Sequence, residues 1–491
     1  MLLLGIDVGT SSIKVSVTDA ATRRTLATAQ YPDTETPIVV PHPDWAEQAP
    51  DLWWDHVQQA ILRAHASGAY HPEDIGAIGI AYQMHGLVMV NKAQEVLRPA
   101  IIWCDSRAVK IGEQAFAAIG TEPCLRKLLN SPGNFTAAKL AWVKAHEPQT
   151  YAATHQIMLP GDFIALRLTG HATTTIAALS EGIFWDFENQ EISSDVMQYF
   201  GFDSALIPPV QPVFSEHGGV TAAVAKALQL KPGTPVTYKA GDQPNNALSL
   251  NVLQPGEVAA TAGTSGVIYG VSDQLVYDHA SRINTFAHVN HNSAAPRLGV
   301  LLCINGTGIL YRWVHDVCGG QLTYPQLNAE AATAPAGSEG LRILPFGNGA
   351  ERMLQNKIVG TQLQQINLNL HTRAHVVRAA QEGIAFAFRY GLDIMRENGI
   401  SPSVIRAGMA NLFLSDVFTT TFVNITGVPV ELYQNDGSVG AALGAGIGVK
   451  AFTTENAFEN IKPAQLISPH TKGSLEADYQ DWKQLLEKFL A

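Results

Sequence analysis

One aspartate in this sequence stands where a base could serve a hydroxyl. Asp242 follows an apolar run and a glycine, in Lys239-Ala240-Gly241-Asp242-Gln243. A general base must come within hydrogen-bond reach of the proton it takes, and a carboxylate delivered by a strand end has that access. Gly-Asp is also an ordinary turn or capping pair. Two other stretches point to anion binding. Residues 5–17 read GIDVGTSSIKVSV and residues 259–271 read AATAGTSGVIYGV. They share Gly9-Thr10-Ser11 and Gly263-Thr264-Ser265, each after an apolar run and before alternating β-branched residues. Such a turn presents backbone N–H groups and hydroxyls in one small concavity, a nest for phosphate. The copies differ in one informative place: Asp7 precedes the first turn by two residues, and Thr261 precedes the second. A carboxylate beside a phosphate nest calls for a cation between them. Asp7 is therefore a candidate Mg²⁺ partner, acting through water because Mg²⁺ keeps its hydration shell.

Two further groups could recognise a polyhydroxy ligand. Gln83-Met84-His85-Gly86 follows an apolar run and mixes hydrogen-bonding groups with an apolar contact. His85 reads equally well as a satisfied structural histidine. Cys104-Asp105-Ser106-Arg107 ends another apolar run. Asp105 and Arg107 could bind hydroxyls or could pair with each other, and spacing leaves both open.

The elements that must position these groups are legible in outline. Each Gly-Thr-Ser sits between two short strands and makes a β-hairpin. Ile75–Ala81, Pro99–Trp103 and Pro232–Ala240 read as strands whose ends carry the polar groups, the place where ligands bind in open α/β sheets. Apolar residues at helical spacing predict helices over Pro50–Ala64 and Val376–Asn398, with Gly399 as the C-terminal cap. Gly440, Gly444, Gly446 and Gly448 suit close packing of a helix. One hairpin opens the chain and the other opens its second half, so two similar domains are expected, 1–250 and 251–491. Chain length and a 46% hydrophobic, 15% charged composition fit globular domains.

Several classes are set aside. A net charge of −11 argues against a nucleic-acid footprint. No run reaches the ~18 apolar residues of a membrane span, and the first residues read as a buried strand. The four cysteines are far apart, read as buried free thiols, and point to a reducing cytoplasm. There is no G-x-x-x-x-G-K-[ST] loop.

Taken together these residues resemble the FGGY carbohydrate kinases, over roughly residues 2–450. The resemblance rests on the order of Gly5–Lys14, Pro43–Pro50 with Trp53-Trp54, Gln83–Gly86, Trp103–Arg107, Gly241-Asp242-Gln243, Ala262–Gly266 and Gly437–Ala445. Within the family, the ketose-site segments are similar to those of xylulokinases. It implies an α/β, duplicated actin-like (RNase H-like) ATPase fold, two domains with a cleft between them. It implies ATP and Mg²⁺, with Asp242 as general base beside Gln243. Met84 and His85 would contact the ketose, helped by Asp105. Thr10, Ser11 and Ser12 with Gly263, Thr264 and Ser265 would hold nucleotide phosphates. Gly308 would approach the nucleotide, and Asn411 would meet the adenosine.

Two segments depart from the family pattern: Gly408-Met409-Ala410-Asn411 where consecutive glycines are usual, and Pro345-Phe346-Gly347-Asn348-Gly349-Ala350-Glu351-Arg352. The expected activity is ATP-dependent phosphorylation of a ketose, D-xylulose first, in a cytoplasmic enzyme for which a homodimer is a compatible assembly. The alternatives are a kinase for ribulose, gluconate or another polyol, and a non-catalytic actin-like sugar or nucleotide sensor.

Overall fold

The computed structural model describes residues 1–434, 436–470 and 475–490. The chain forms two compact units. The first contains residues 1–251, 286–298 and 436–462, and the second contains 252–285, 299–435 and 463–491.

The first unit is built on five strands: β1 (Leu2–Val8), β2 (Ile13–Asp19), β3 (Thr25–Tyr31), β4 (Ile75–Tyr82) and β5 (Val236–Gly241). Their order is β5-β4-β1-β2-β3. β1 and β2 form an antiparallel hairpin in which Val8 faces Ile13, so residues 9–12 are the turn. β4 runs parallel to β1, and β5 runs parallel to β4. The apolar run over Leu2–Val8 is nearly all buried, as a central strand requires.

The second unit repeats the pattern with β6 (Glu257–Ala262), β7 (Gly266–Ser272), β8 (Leu298–Ile304), β9 (Val404–Gly408) and β10 (Val430–Tyr433). The order here is β8-β7-β6-β9-β10. β6 and β7 are again an antiparallel hairpin, and β9 and β10 again run parallel beside it. The repeat seen in thirteen-residue stretches is thus a repeat of five strands, which in the second case lie within a seven-stranded sheet.

Helices cover these sheets. α1 spans Pro50–His65, with Pro50 in its first turn and Trp53, Val57 and Ile61 on its buried face. α2 (Asp242–Ser249) starts directly after β5. α3 (Gly308–Val314) follows β8. α4 (Arg373–Glu397) begins three residues earlier than expected, because Thr372 and His375 form a capping box there. Gly399, at φ +84°, follows its end.

α5 (Gly437–Gly448) lies late in the sequence but packs on the first unit's sheet. A Cβ added to Gly5 of β1 would come 1.8 Å from the Ser438 carbonyl oxygen, and one added to Gly79 of β4 would come 2.0 Å from that of Ala441. Glycine is required at both because helix backbone rests directly on strand backbone. The expected division at residue 250 therefore omits two segments, 286–298 and 436–462, which return to the first unit. Burial of this small-residue helix on the glycines of β1 and β4 is the reason for the second.

Three other expectations need correction. β5 starts at Val236, not near Pro232, because Gly233 at φ +80° turns the chain first. Of Pro99–Trp103 only Ala100–Ile101 is strand, paired with Glu47 and Gln48 and bridged once by Leu87. All four cysteines are free, but only Cys124 is buried.

Candidate functional site

In the first unit, Asp242 is the first residue of α2, and its carboxyl receives hydrogen bonds from the main chain and side chain of Gln243. Asp7 is the half-buried next-to-last residue of β1. It lies so near α5 that a Cβ on Gly437 would fall 2.3 Å from its Oδ2. Asp436 caps α5, its side chain accepting the Ser438 N–H at 2.8 Å. The three carboxylates act on one another. Burial, then the Asp436 carboxylate, pushes Asp7 up to about 6 against the pull of Lys14. Burial, then Asp7, pushes Asp242 up to about 7. Packing has thus gathered negative charge that repels itself.

This has a consequence for stability. Both groups hold their protons more tightly folded than unfolded, so the folded state binds more protons between about pH 4 and 7. Their contribution is therefore fully present below pH 4 and declines as pH rises through 6 and 7. Asp7→Asn is expected to raise the melting temperature of the ligand-free protein at pH 8 and to leave it unchanged at pH 4. Differential scanning fluorimetry at the two values checks this.

The nearby wall is built by the end of β4. Gln83 and Met84 are buried. His85 stands at φ +60°, a left-handed conformation that costs a non-glycine residue about 1–2 kcal/mol. It is held on three sides. Its N–H donates to Glu181 Oε1 at 3.3 Å, its ring Nδ1 meets the Glu181 carbonyl at 3.1 Å, and its own carbonyl accepts from Lys139 Nζ at 2.8 Å. The ring also packs edge-on against Phe135 and against Phe286. Lys139 is fully buried, and burial lowers its ammonium to about 7.

The first Gly-Thr-Ser turn is tied to this wall. Thr10 Oγ1 donates to Gln83 Oε1 at 3.2 Å and accepts from Trp103 Nε1 at 3.0 Å. Ser11 is exposed and Ser12 half-buried. The Thr10 hydroxyl is thus engaged, and the Thr10 and Ser11 carbonyls accept from Gln48 Nε2 at 2.8 Å and from the Thr36 N–H at 2.7 Å.

Asp105 is placed differently. It is fully buried; its carboxylate accepts the Ala46 N–H at 2.6 Å and Arg107 through contacts of 2.7–3.0 Å. Arg107 also pairs with Glu47 at 2.8 Å and stacks on Trp45. The pair that the sequence left open is thus present, at 2.7 Å.

In the second unit, Gly263, Thr264, Gly308 and Asn411 line one cavity of about 590 Å³, together with Tyr311 and Asn328. Ser265 is not among its lining residues. The start of α3 closes over the second turn. Gly308 N–H and Ile309 N–H donate to the Gly263 and Thr264 carbonyls at 2.9 and 3.1 Å. A side chain at 308 would meet the Gly263 carbonyl at 2.2 Å. Glu351, fully buried, accepts the Asn305 N–H at 3.0 Å and that of Gly306, and so fixes the loop leading into α3. Burial pushes its carboxyl up to about 7.

Glu181, Lys139 and Asp436 had no local signal in the sequence. Glu351 lay in a segment noted only as altered. Among the described residues no three His, Cys, Asp or Glu side chains converge as a closed metal cage. Nor is any helix there long and apolar enough to cross a membrane.

Comparison with known proteins agrees with this geometry. Residues 2–249 match the family model described as the FGGY family of carbohydrate kinases, N-terminal domain, and residues 258–449 match its C-terminal domain. The xylulose kinase of Escherichia coli (strain K12) is 29% identical over 451 residues, covering 90% of this chain and 88% of that protein. The xylulose kinase of Bacillus subtilis (strain 168) is 25% identical, covering 99% and 95%. The crystal structure of xylulose kinase from Rhodospirillum rubrum superposes with a TM-score of 0.89 at 26% identity, covering both chains fully. A gluconate kinase from Lactobacillus acidophilus gives 0.90 at 20% identity, covering 100% of this chain and 98% of that one. Backbone likeness therefore does not choose the sugar.

Proposed function

This chain belongs to the FGGY family of carbohydrate kinases, so it is an ATP-using sugar kinase with the duplicated actin-like fold; we propose that its sugar is a ketose, D-xylulose, and its product D-xylulose 5-phosphate. The observation that carries the reading is Asp242, a carboxyl raised to about 7 at the head of α2. A base poised near working pH is suited to take a hydroxyl proton. The curated xylulose kinases that match over most of the chain support the choice of sugar.

In the reaction the sugar hydroxyl oxygen bonds to the γ-phosphorus of ATP, the bond to the β–γ bridging oxygen breaks, and ADP leaves. The hydroxyl proton passes to Asp242 Oδ. Such transfer is largely positioning and electrostatics, so Asp242 orients the hydroxyl as well as accepting its proton. Gln243, through its bonds to that carboxyl, keeps it aimed. Met84 and His85 bind the ketose, and Asp105 supports them through the buried pair with Arg107. On the nucleotide side, Gly263 and Thr264 with the Gly308 backbone cradle phosphate, Ser265 supports that turn, and Asn411 lies toward the adenosine. Thr10, Ser11 and Ser12 form the first phosphate turn.

Mg²⁺ fits Asp7, because a hard divalent cation offsets the mutual repulsion of Asp7 and Asp242 and is commonly held by one or two carboxylates plus phosphate. When bound it would neutralise phosphate charge. The domain assignment we favour is a first domain over 1–250 and a second over 251–491, with segments 286–298 and 436–462 returning to the first, in a cytoplasmic enzyme.

The test is a coupled ADP-release assay across D-xylulose, ribulose, gluconate and glycerol, with mass detection of the phosphorylated product. D-xylulose is expected to give the highest kcat/KM, and EDTA to abolish turnover. Faster phosphorylation of gluconate or ribulose would replace the sugar, and release of ADP with no sugar phosphate would sink the reading.

A further inference from the structure

Glu181 ends a short helix, Ile176–Glu181, and is 2% exposed. No step above uses its carboxyl, yet it touches both parts of the candidate sugar site. One carboxyl oxygen accepts the His85 N–H. The other lies where a Cβ on Gly241 would come within 2.7 Å, with Met84 Cγ at 2.6 Å from the same point. Glu181 therefore lies under the residue that delivers Asp242 and beside the residue that delivers His85. Its main chain contributes as well. A carbonyl oxygen only accepts, so the His85 Nδ1 that meets the Glu181 carbonyl carries a proton.

We propose that Glu181 is a positioning residue for the sugar site, clamping His85 in its left-handed conformation with the proton on Nδ1. The inference rests on the kinase reading for its substrate. It rests on geometry for the clamp. The charged and titratable groups facing Glu181 are Asp242, Asp162, Lys139 and Tyr82. Burial, with the two aspartates, holds its carboxyl protonated well above the usual range. A neutral amide is thus a close substitute for it.

The test uses the full-length chain with Glu181→Ala and Glu181→Gln, and the sugar that the wild type phosphorylates fastest. In Glu181→Ala, kcat/KM for the sugar should fall about 100-fold, the scale of a 1 Å misplacement. KM for ATP should stay within about twofold, since uniform nucleotide binding is untouched. Glu181→Gln, which keeps an uncharged acceptor for the His85 N–H, should restore sugar kinetics. Nitrogen NMR of the imidazoles, with His85 assigned from a His85→Gln sample, should show one Nδ1-protonated tautomer in wild type and Glu181→Gln, and a mixture in Glu181→Ala. Wild-type sugar kinetics in Glu181→Ala would overturn the proposal. So would an equal rise in both KM values without rescue by glutamine, the mark of general loosening. If the wild type phosphorylates no sugar, the kinase reading fails, and the tautomer comparison alone decides the clamp.

Discussion

Replacing Asp242 by asparagine is expected to lower kcat by about 10²–10⁴, the usual range for a lost acid–base group, while KM for the sugar changes little. The amide keeps the size of the side chain and the start of α2, so folding should be preserved. What is lost is the acceptor for the hydroxyl proton. The wild type should show the matching pH dependence. Asp242 is raised to about 7 in the ligand-free protein, by burial first and by Asp7 second. Its base form is depleted as pH falls through that value, so kcat/KM should decline on the acid side. Asp7→Asn removes the second cause and should move that limb to lower pH, as a bound cation should in the wild type. Steady-state rates from pH 5 to 9 at saturating ATP, for wild type and both variants, test the assignment. Near-normal turnover in Asp242→Asn would remove Asp242 from the chemistry and leave no other base named here.

Arg107→Ala is expected to destabilise the first unit by about 3–5 kcal/mol, as breaking a buried ion pair by removing one partner does. Arg107 is 1% exposed and pairs with Asp105 and Glu47, side chains that are 0% and 9% exposed. Truncation leaves Asp105 buried with its cation gone, while Glu47 keeps only Arg98, at 2.7 Å. It also removes the guanidinium stacked on Trp45 at 3.9 Å. At roughly 2–4 °C per kcal/mol for a unit of about 250 residues, the melting temperature should drop by roughly 6–20 °C. The companion variant Asp105→Asn separates the two meanings that the sequence left open. A structural partner of Arg107 should lose stability and keep its sugar KM at a temperature where the protein is folded. A direct sugar ligand should raise KM with the melting temperature unchanged. Calorimetry and sugar titrations on the same preparations give both readings.

What was legible in the sequence was local. The two Gly-Thr-Ser hairpins were visible because turn chemistry and alternation are written within a dozen residues. Their repetition pointed to a duplicated fold, and each hairpin belongs to a five-strand run of the same order. α1 and α4 were visible because apolar residues recur at helical spacing, and only the first turn of α4 was missed, where a Thr–His capping box extends it. The strand ends carrying Met84-His85 and Asp242 were found in the same way, and the order of these motifs was enough to resemble one family of kinases.

Tertiary structure alone decided the rest. Nothing near Asp7 in the sequence tells that Asp436, more than four hundred positions away, raises its carboxyl. Their approach depends on α5 settling on Gly5 and Gly79, where a single Cβ would collide with helix backbone. Glu181 carried no motif, because its value lies in touching His85 and Gly241 from a separate helix. Asp105 is buried against Arg107 by packing that its own segment does not reveal. Periodicity and turn residues fix what a segment becomes, since those preferences act over a few residues. Which carboxylates end up sharing a low-dielectric corner is set by how the finished segments pack, and proton affinity follows from that packing.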